Sequence, residues 1–198
     1  MRIVRFCSAA LLSLFAFAAQ ARMVHRPVEW TLDGTRFHSV LVYDDAVTAK
    51  RPGLVMVPNW FGVNDEAITK AEMIAGKDYV ILLTDMYGAN VRPQQGNAEQ
   101  AQAAVKPLYA NRALMRQRVN EALAQLRAQA QNAPIDTARL AAIGFCFGGA
   151  AVLDLARSGA DVAAVVSFHG DLSTDDAAQA KHIKARVLAM NGADDTWT

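Results

Sequence analysis

The chain of 198 residues is 53% apolar and carries 20 Lys and Arg against 19 Asp and Glu, a formal net charge of +1. This length and apolar fraction suit one globular domain with a sizeable core, and they exclude a disordered or fibrous protein. The charge pattern offers no basic face for nucleic acid, and the two cysteines and four histidines lack the spacing of a disulfide scaffold or a zinc site.

Residues 1–21 have the features of a secretory signal peptide. A positively charged start is followed by an apolar run of 13 residues and by the small-x-small sequence Ala19-Gln20-Ala21. A membrane anchor is the alternative, but the run is shorter than the ~18 apolar residues that a spanning helix needs. We therefore expect export to the periplasm or the medium, no membrane attachment after cleavage, and a mature domain over residues 22–198.

The mature part begins with a predicted antiparallel hairpin over residues 28–43, because Asp33-Gly34 separates two runs with β-branched and aromatic residues. Buried strands and helices then alternate, which predicts an α/β domain with a mainly parallel sheet and helices on both faces. Asn64 is the predicted N-cap of the first helix and Gly76 its stop. The predicted strands cover residues 53–57, 79–84, 140–145, 162–168 and 186–190, and the predicted helices cover 65–75, 97–105, 112–131 and 148–157.

The most specific motif is Gly144-Phe145-Cys146-Phe147-Gly148-Gly149, at the junction of a predicted strand and a predicted helix. It has the spacing of the nucleophile elbow G-x-S-x-G, with cysteine in place of serine. The helix N-terminus is expected to lower the pKa of the thiol, so that Cys146 alkylates faster than a peptide cysteine. The alternative is a small buried cysteine at a glycine-tolerant helix start.

Two further loops follow predicted strands. In this fold the oxyanion hole takes one N–H from the residue after the nucleophile and one from an early strand-to-helix loop, which predicts Phe147 and Trp60 as the donors. Trp60 as a simple cap on the core is the alternative. Asp194 and Asp195 follow the last predicted strand, where the orienting carboxylate of a catalytic triad belongs, although a solvated acidic pair also fits.

Four segments together resemble the dienelactone hydrolase family of α/β hydrolases: the elbow motif, Phe61-Gly62-Val63-Asn64, Asp85-Met86-Tyr87-Gly88 and Gly192-x-x-Asp195. The resemblance runs from about Pro52 onward. It implies an α/β-hydrolase fold and a Cys-His-Asp hydrolase of small-molecule esters or lactones that needs no metal or cofactor. It also implies that Cys146 is the nucleophile and that Asp195, rather than Asp194, orients the histidine.

The chain departs from the family pattern at two places. Asn59 stands where dienelactone-cleaving members have a glutamate that helps to control the thiol, and asparagine cannot act as a base. The arginine that follows the D-x-Y run in those members is replaced by Ala89 and Asn90, with Arg92 as the nearest substitute. We therefore predict Asn59, Tyr87 and Arg92 as substrate-lining residues and do not carry over dienelactone as the substrate.

The expected order of a triad in this fold is nucleophile, acid, histidine, and no histidine follows Asp195 in the sequence. His25, His38, His169 and His182 all precede it. His169 is the alternative candidate for the base. The simpler interpretation of His169 is a loop histidine held by a hydrogen bond. We therefore expect a hydrolase truncated at its C-terminus, without its last strand, helix and histidine, and with little esterase activity.

Two interpretations from other classes compete with a hydrolase. The first is a noncatalytic binding protein of the same fold that kept the pocket and lost the base. The second is a thiol redox protein that uses Cys146. The absence of a C-x-x-C motif disfavours the redox protein.

Overall fold

The computed structural model describes residues 22–195, so the predicted signal peptide lies outside the described residues. In chain order the strands are β1 (Met23–Leu32), β2 (Thr35–Asp44), β3 (Arg51–Val57), β4 (Val80–Leu83), β5 (Ile135–Phe145), β6 (Ala164–Phe168) and β7 (Arg186–Met190). The helices are α1 (Asp65–Ala75), α2 (Ala98–Ala110), α3 (Arg112–Ala128) and α4 (Phe147–Arg157), with 3-10 turns at Gln129–Gln131 and Ala177–His182. None of the helices in this part of the chain is long and apolar enough to cross a membrane.

The strands form one sheet in the order β1-β2-β4-β3-β5-β6-β7. β1 and β2 form an antiparallel hairpin, and β2 also runs antiparallel to β4, whereas β3 to β7 are mutually parallel. Asp33 and Gly34 both have positive φ values, 47° and 76°, as a tight hairpin turn requires. The predicted α/β sheet with an antiparallel N-terminal hairpin is confirmed.

The two faces of the sheet carry separate apolar cores. Along β3, Val55 and Val57 face the core formed with α2, α3 and α4, whereas Leu54 and Met56 face the core formed with α1. All four side chains are at most 6% exposed, as expected for a strand covered on both sides. Helices on both faces, predicted from the continuous apolar strands, are therefore present.

Helix α1 has the predicted bounds, and Asn64 caps it by accepting a hydrogen bond from the N–H of Ala67. Helix α2 does not end near residue 105 as predicted. It continues through Pro107 to Ala110 because its last turn buries Leu108, which is 1% exposed, in the core. Burial of this turn outweighs the local cost of a proline inside a helix.

At the junction of β5 with α4, backbone segments pack too closely to leave room for a Cβ atom. A Cβ at Gly144 would lie 2.0 Å from the carbonyl oxygen of Gly148, and a Cβ at Gly148 would lie 2.1 Å from the carbonyl oxygen of Val57. Both obstacles are backbone atoms, which cannot move aside as a side chain can. The end of β3, the end of β5 and the start of α4 therefore meet at a point where only glycine fits.

This contact predicts a large loss of stability for Gly148→Ala. We expect the free energy of unfolding in urea to fall by about 3 kcal/mol or more, because the added methyl group collides with the backbone. Gly96→Ala is the matched control. Gly96 also has a positive φ, 83°, but a Cβ there meets nothing within 4 Å, so its cost is limited to about 1–2 kcal/mol of backbone strain. Equal losses in the two variants would contradict the steric account.

Candidate active site

A cavity of about 1010 Å³ lies at the carboxyl ends of the central strands. Trp60 follows β3, Cys146 follows β5 and His169 follows β6, and all three line it. Helix α2 supplies much of the remaining wall. The full lining is Trp60, Glu99, Gln102, Ala103, Val105, Lys106, Tyr109, Ala110, Cys146, His169 and Asp171. A largely apolar cleft of this size, with a few convergent polar groups, is typical of a small-molecule site.

Cys146 occupies the predicted elbow between β5 and α4. Its φ is +54°, a conformation that non-glycine residues rarely adopt, and its N–H donates to the carbonyl of Phe168 at 2.8 Å. The carbonyl of Cys146 in turn accepts a hydrogen bond from the N–H of Gly149 at 2.8 Å. The main chain of the residue is therefore held from both sides, which fixes the sulfur at the cavity.

The electrostatics of this thiol differ from the expectation drawn from the sequence. Burial raises the pKa of Cys146, and the nearby Asp195 carboxylate raises it further by repelling a thiolate. The N–H of Phe147 donates a hydrogen bond to the sulfur and acts in the opposite direction, but burial is the larger influence. The expected lowering of the pKa is therefore wrong, and the thiol needs a base to become a nucleophile at neutral pH.

The structure brings His169 to Asp195. The Nδ1–H of His169 donates to Oδ2 of Asp195, and the Asp195 side chain is 8% exposed whereas that of His169 is 51% exposed. The two residues meet because β6 and β7 are neighbours, and the N–H of His169 donates to the carbonyl of Met190 at 2.9 Å. Asp194 is exposed. With Nδ1 bound to a carboxylate, Nε2 is the nitrogen left to accept a proton.

The two residues predicted as oxyanion donors both lie near the cavity, and one of them contacts the sulfur of Cys146. Phe147 is the first residue of α4, and its N–H already points at the Cys146 sulfur. Trp60 lines the cavity, and its N–H has no acceptor among residues 22–195. The oxyanion hole formed by these two N–H groups stays a prediction.

The three residues predicted to line the substrate are placed elsewhere. Asn59, Tyr87 and Arg92 are not among the side chains that line the cavity in the described part of the chain. Asn59 bonds within its own loop, and Tyr87 is buried and donates its hydroxyl to the carbonyl of Trp60. Arg92 is bound to Asp85 at 2.9 Å. Each of the three bonds to its own or a neighbouring loop, and none of them borders this cavity.

Sequence reasoning missed the wall that α2 contributes. Glu99, Gln102, Lys106 and Tyr109 recur at intervals of three and four residues, which places them on one face of a helix. That periodicity was the available signal, but it does not say which cavity the face borders. Asp171 was also missed, because nothing in the sequence indicates that the loop after His169 turns toward the site.

The other histidines lie outside the cavity lining. His25 pairs with Glu72 at 2.7 Å, and His38 pairs with Glu29 at 3.7 Å, both at the surface. His182 ends a 3-10 turn. Across residues 22–195, no three His, Cys, Asp or Glu side chains are grouped so as to hold a metal ion.

The chain is similar to known proteins over most of its described length. The model of the dienelactone hydrolase family matches residues 37–198. The chain belongs to the dienelactone hydrolase family. This dienelactone hydrolase family member is 29% identical over 181 residues to a Bradyrhizobium protein named as a probable 2-oxo-3-(5-oxofuran-2-ylidene)propanoate lactonase, with 86% of this chain and 71% of that protein covered.

Two solved structures extend the comparison. A dienelactone hydrolase-like promiscuous phosphotriesterase from metagenomic libraries is 37% identical, with a TM-score of 0.80 and coverage of 88% of this chain and 70% of that one. A dienelactone hydrolase from Anabaena variabilis is 20% identical, with a TM-score of 0.62 and coverage of 86% and 74%, and shows the fold alone. The family resemblance predicted from the sequence is confirmed, and the chain is a hydrolase of ester or lactone bonds.

The raised pKa predicts slow alkylation of Cys146. In protein that starts at Arg22, Cys146 is the single cysteine. We expect iodoacetamide to react with it more slowly than with the same protein unfolded in urea at neutral pH, because a raised pKa leaves a smaller thiolate fraction there. The rate should climb as the pH rises above the range of an ordinary thiol. A native rate equal to or above the unfolded rate at neutral pH would contradict the burial argument.

Proposed function

We propose that this enzyme cleaves esters or lactones through a thioester on Cys146, with Asp195 orienting the imidazole that moves the proton. The observation that carries the proposal is the convergence of three groups. Cys146 and His169 line one cavity, His169 is bonded to Asp195, and the Asp195 carboxylate lies close enough to raise the pKa of the thiol. A nucleophile, a base and an acid that orients the base are the parts of a hydrolytic triad.

The proposed reaction has two halves. In the first, the imidazole takes the thiol proton and the sulfur of Cys146 attacks the carbonyl carbon, which places negative charge on the carbonyl oxygen. The C–O bond to the alkoxy group then breaks, the alkoxy oxygen takes the proton from the imidazolium, and a thioester remains. In the second, a water molecule gives a proton to the imidazole and attacks the thioester carbon. The C–S bond breaks, the carboxylic acid leaves and the sulfur recovers its proton.

The cavity favours substrates with apolar groups beside the reacting carbonyl. Trp60, Val105 and Tyr109 line it together with small alanines of α2, and no arginine is among the lining residues of the described chain. A lactone is a natural substrate class to test, since the Bradyrhizobium relative is named as a lactonase. An aryl phosphotriester belongs in the same panel, since the relative that is 37% identical is named as a promiscuous phosphotriesterase.

His169 is the imidazole that we propose as the base. Its Nδ1 contacts Asp195, its side chain is half exposed, and it lines the same cavity as Cys146. The chain order of the fold predicts a different source, a histidine after Asp195, and that prediction stays open to the same experiment. A His169 variant distinguishes the two histidines, because its hydrolytic activity falls only if His169 is the base.

The test is hydrolysis of p-nitrophenyl esters, lactones and an aryl phosphotriester by the parent and by matched variants. Cys146→Ala removes the nucleophile and should lower kcat/KM by about four powers of ten or more. His169→Gln should lower it by about 10²- to 10⁴-fold, because an amide cannot take a proton. His25→Gln is the control, since His25 is a surface histidine paired with Glu72 away from the cavity.

Other outcomes assign the function differently. Full activity in His169→Gln together with loss in Asp195→Asn would reject His169 as the base and keep Asp195 in the site. Activity that survives Cys146→Ala would reject the thioester mechanism. A folded parent that binds these esters and does not cleave them would favour the noncatalytic binding protein.

A further inference from the structure

The loop between β3 and α1 uses Asn59 as a double acceptor. The carbonyl of Asn59 accepts the N–H of Gly62 at 3.0 Å, and its side-chain Oδ1 accepts the N–H of Phe61 at 3.0 Å. Two of the three amides in this turn are thus occupied. The third, the N–H of Trp60, has no acceptor within residues 22–195. The turn therefore leaves one backbone donor beside the cavity that holds Cys146.

Tyr87 holds the same turn from the other side. Its hydroxyl donates to the carbonyl of Trp60 at 3.0 Å. The peptide group between Trp60 and Phe61 is therefore held at both ends, its C=O by Tyr87 and its N–H by Asn59. A peptide group held at both ends cannot rotate, and this limits where the neighbouring Trp60 N–H can point.

The Tyr87 side chain is itself rigidly placed. The buried Asp85 carboxylate accepts the N–H of Tyr87 at 2.9 Å and that of Gly88 at 3.1 Å. The Tyr87 ring packs on the ring of Phe147 with centroids 5.5 Å apart, and the residue is 6% exposed. Burial raises the pKa of Tyr87 above its ordinary value, so the hydroxyl keeps its proton at neutral and mildly alkaline pH.

We propose that Tyr87 and Asn59 are positioning residues that clamp the Trp60–Phe61 peptide and so aim the Trp60 N–H at the developing oxyanion. The role rests on the proposed function, since it needs an acyl transfer at Cys146. Tyr87 reaches both halves of the oxyanion hole, because it bonds to Trp60 and packs on Phe147. In this role Asn59 acts only by accepting the N–H of Phe61, so an asparagine that cannot act as a base is sufficient at this position.

The test is Tyr87→Phe, which keeps the ring on Phe147 and removes only the hydroxyl. We expect kcat to fall by about 10- to 100-fold and KM to stay within about twofold, because a misplaced oxyanion donor weakens the transition state more than the bound substrate. Tyr43→Phe is the control. Tyr43 packs against the same core and is not among the cavity-lining residues, so kcat should be unchanged.

Thiol reactivity separates a positioning role from a general loss of structure. Iodoacetamide reacts at a saturated carbon and forms no oxyanion, so the alkylation rate of Cys146 in Tyr87→Phe should match that of the parent. Asn59→Ala tests the same peptide from its other end and should show the same pattern of lower kcat with unchanged alkylation. Thermal unfolding curves are recorded for the parent and both variants. Their rates are then compared at a temperature at which all three proteins are folded.

The outcomes are distinct from those of the proposed function. If the parent shows no Cys146-dependent hydrolysis, the proposed function fails and the clamp fails with it. If the parent is active and Tyr87→Phe keeps kcat within about twofold, the clamp alone is overturned. A fall in kcat that is matched by an equal change in alkylation rate also overturns it, because the substitution then disturbs the nucleophile itself.

Discussion

The close approach of three backbone segments at the elbow is the constraint on which the site depends. Gly144 and Gly148 allow β5 to turn directly into α4 against the end of β3, with no room for a side chain. Cys146 is the residue at that turn, where it has a positive φ and lines the cavity. The N–H of Phe147, the next residue, donates to the sulfur. One steric contact therefore places the Cys146 thiol and the N–H of Phe147 together.

Burial at this turn has an electrostatic consequence. The thiol is partly buried and lies near a carboxylate, so its pKa is raised and the neutral form is favoured. Such a thiol is protected from adventitious reaction and depends on an imidazole for activation. Asp195 plays two parts in this arrangement. It disfavours the thiolate, and it accepts the Nδ1–H of His169, the base of the proposed mechanism.

The sequence predicted those features that depend on local chemistry. Helix α1 was predicted from its Asn64 cap and its Gly76 stop, and the elbow was predicted from glycine spacing, because neighbouring residues decide both. Features that depend on packing were not predictable in this way. Helix α2 passes through Pro107 because a distant core buries its last turn, and a local pattern cannot show that.

Side-chain partners were the hardest part to predict from the sequence. Arg92 is near the site along the chain, but the buried Asp85 holds it away from the cavity. His169 and Asp195 are 26 positions apart, and they meet only because β6 and β7 pair in parallel. The expected chain order of a triad describes sequence position, whereas the contact of His169 with Asp195 depends on which strands are neighbours.

The central claim is that Cys146 carries the acyl group, and mass spectrometry during turnover tests it most directly. The parent is mixed with p-nitrophenyl acetate and quenched in acid at the end of the p-nitrophenol burst, since an activated ester makes acylation faster than deacylation. The account predicts one acetyl group on the peptide that contains Cys146. An unmodified Cys146 at the end of the burst, or an acetyl group on a different side chain, would contradict it.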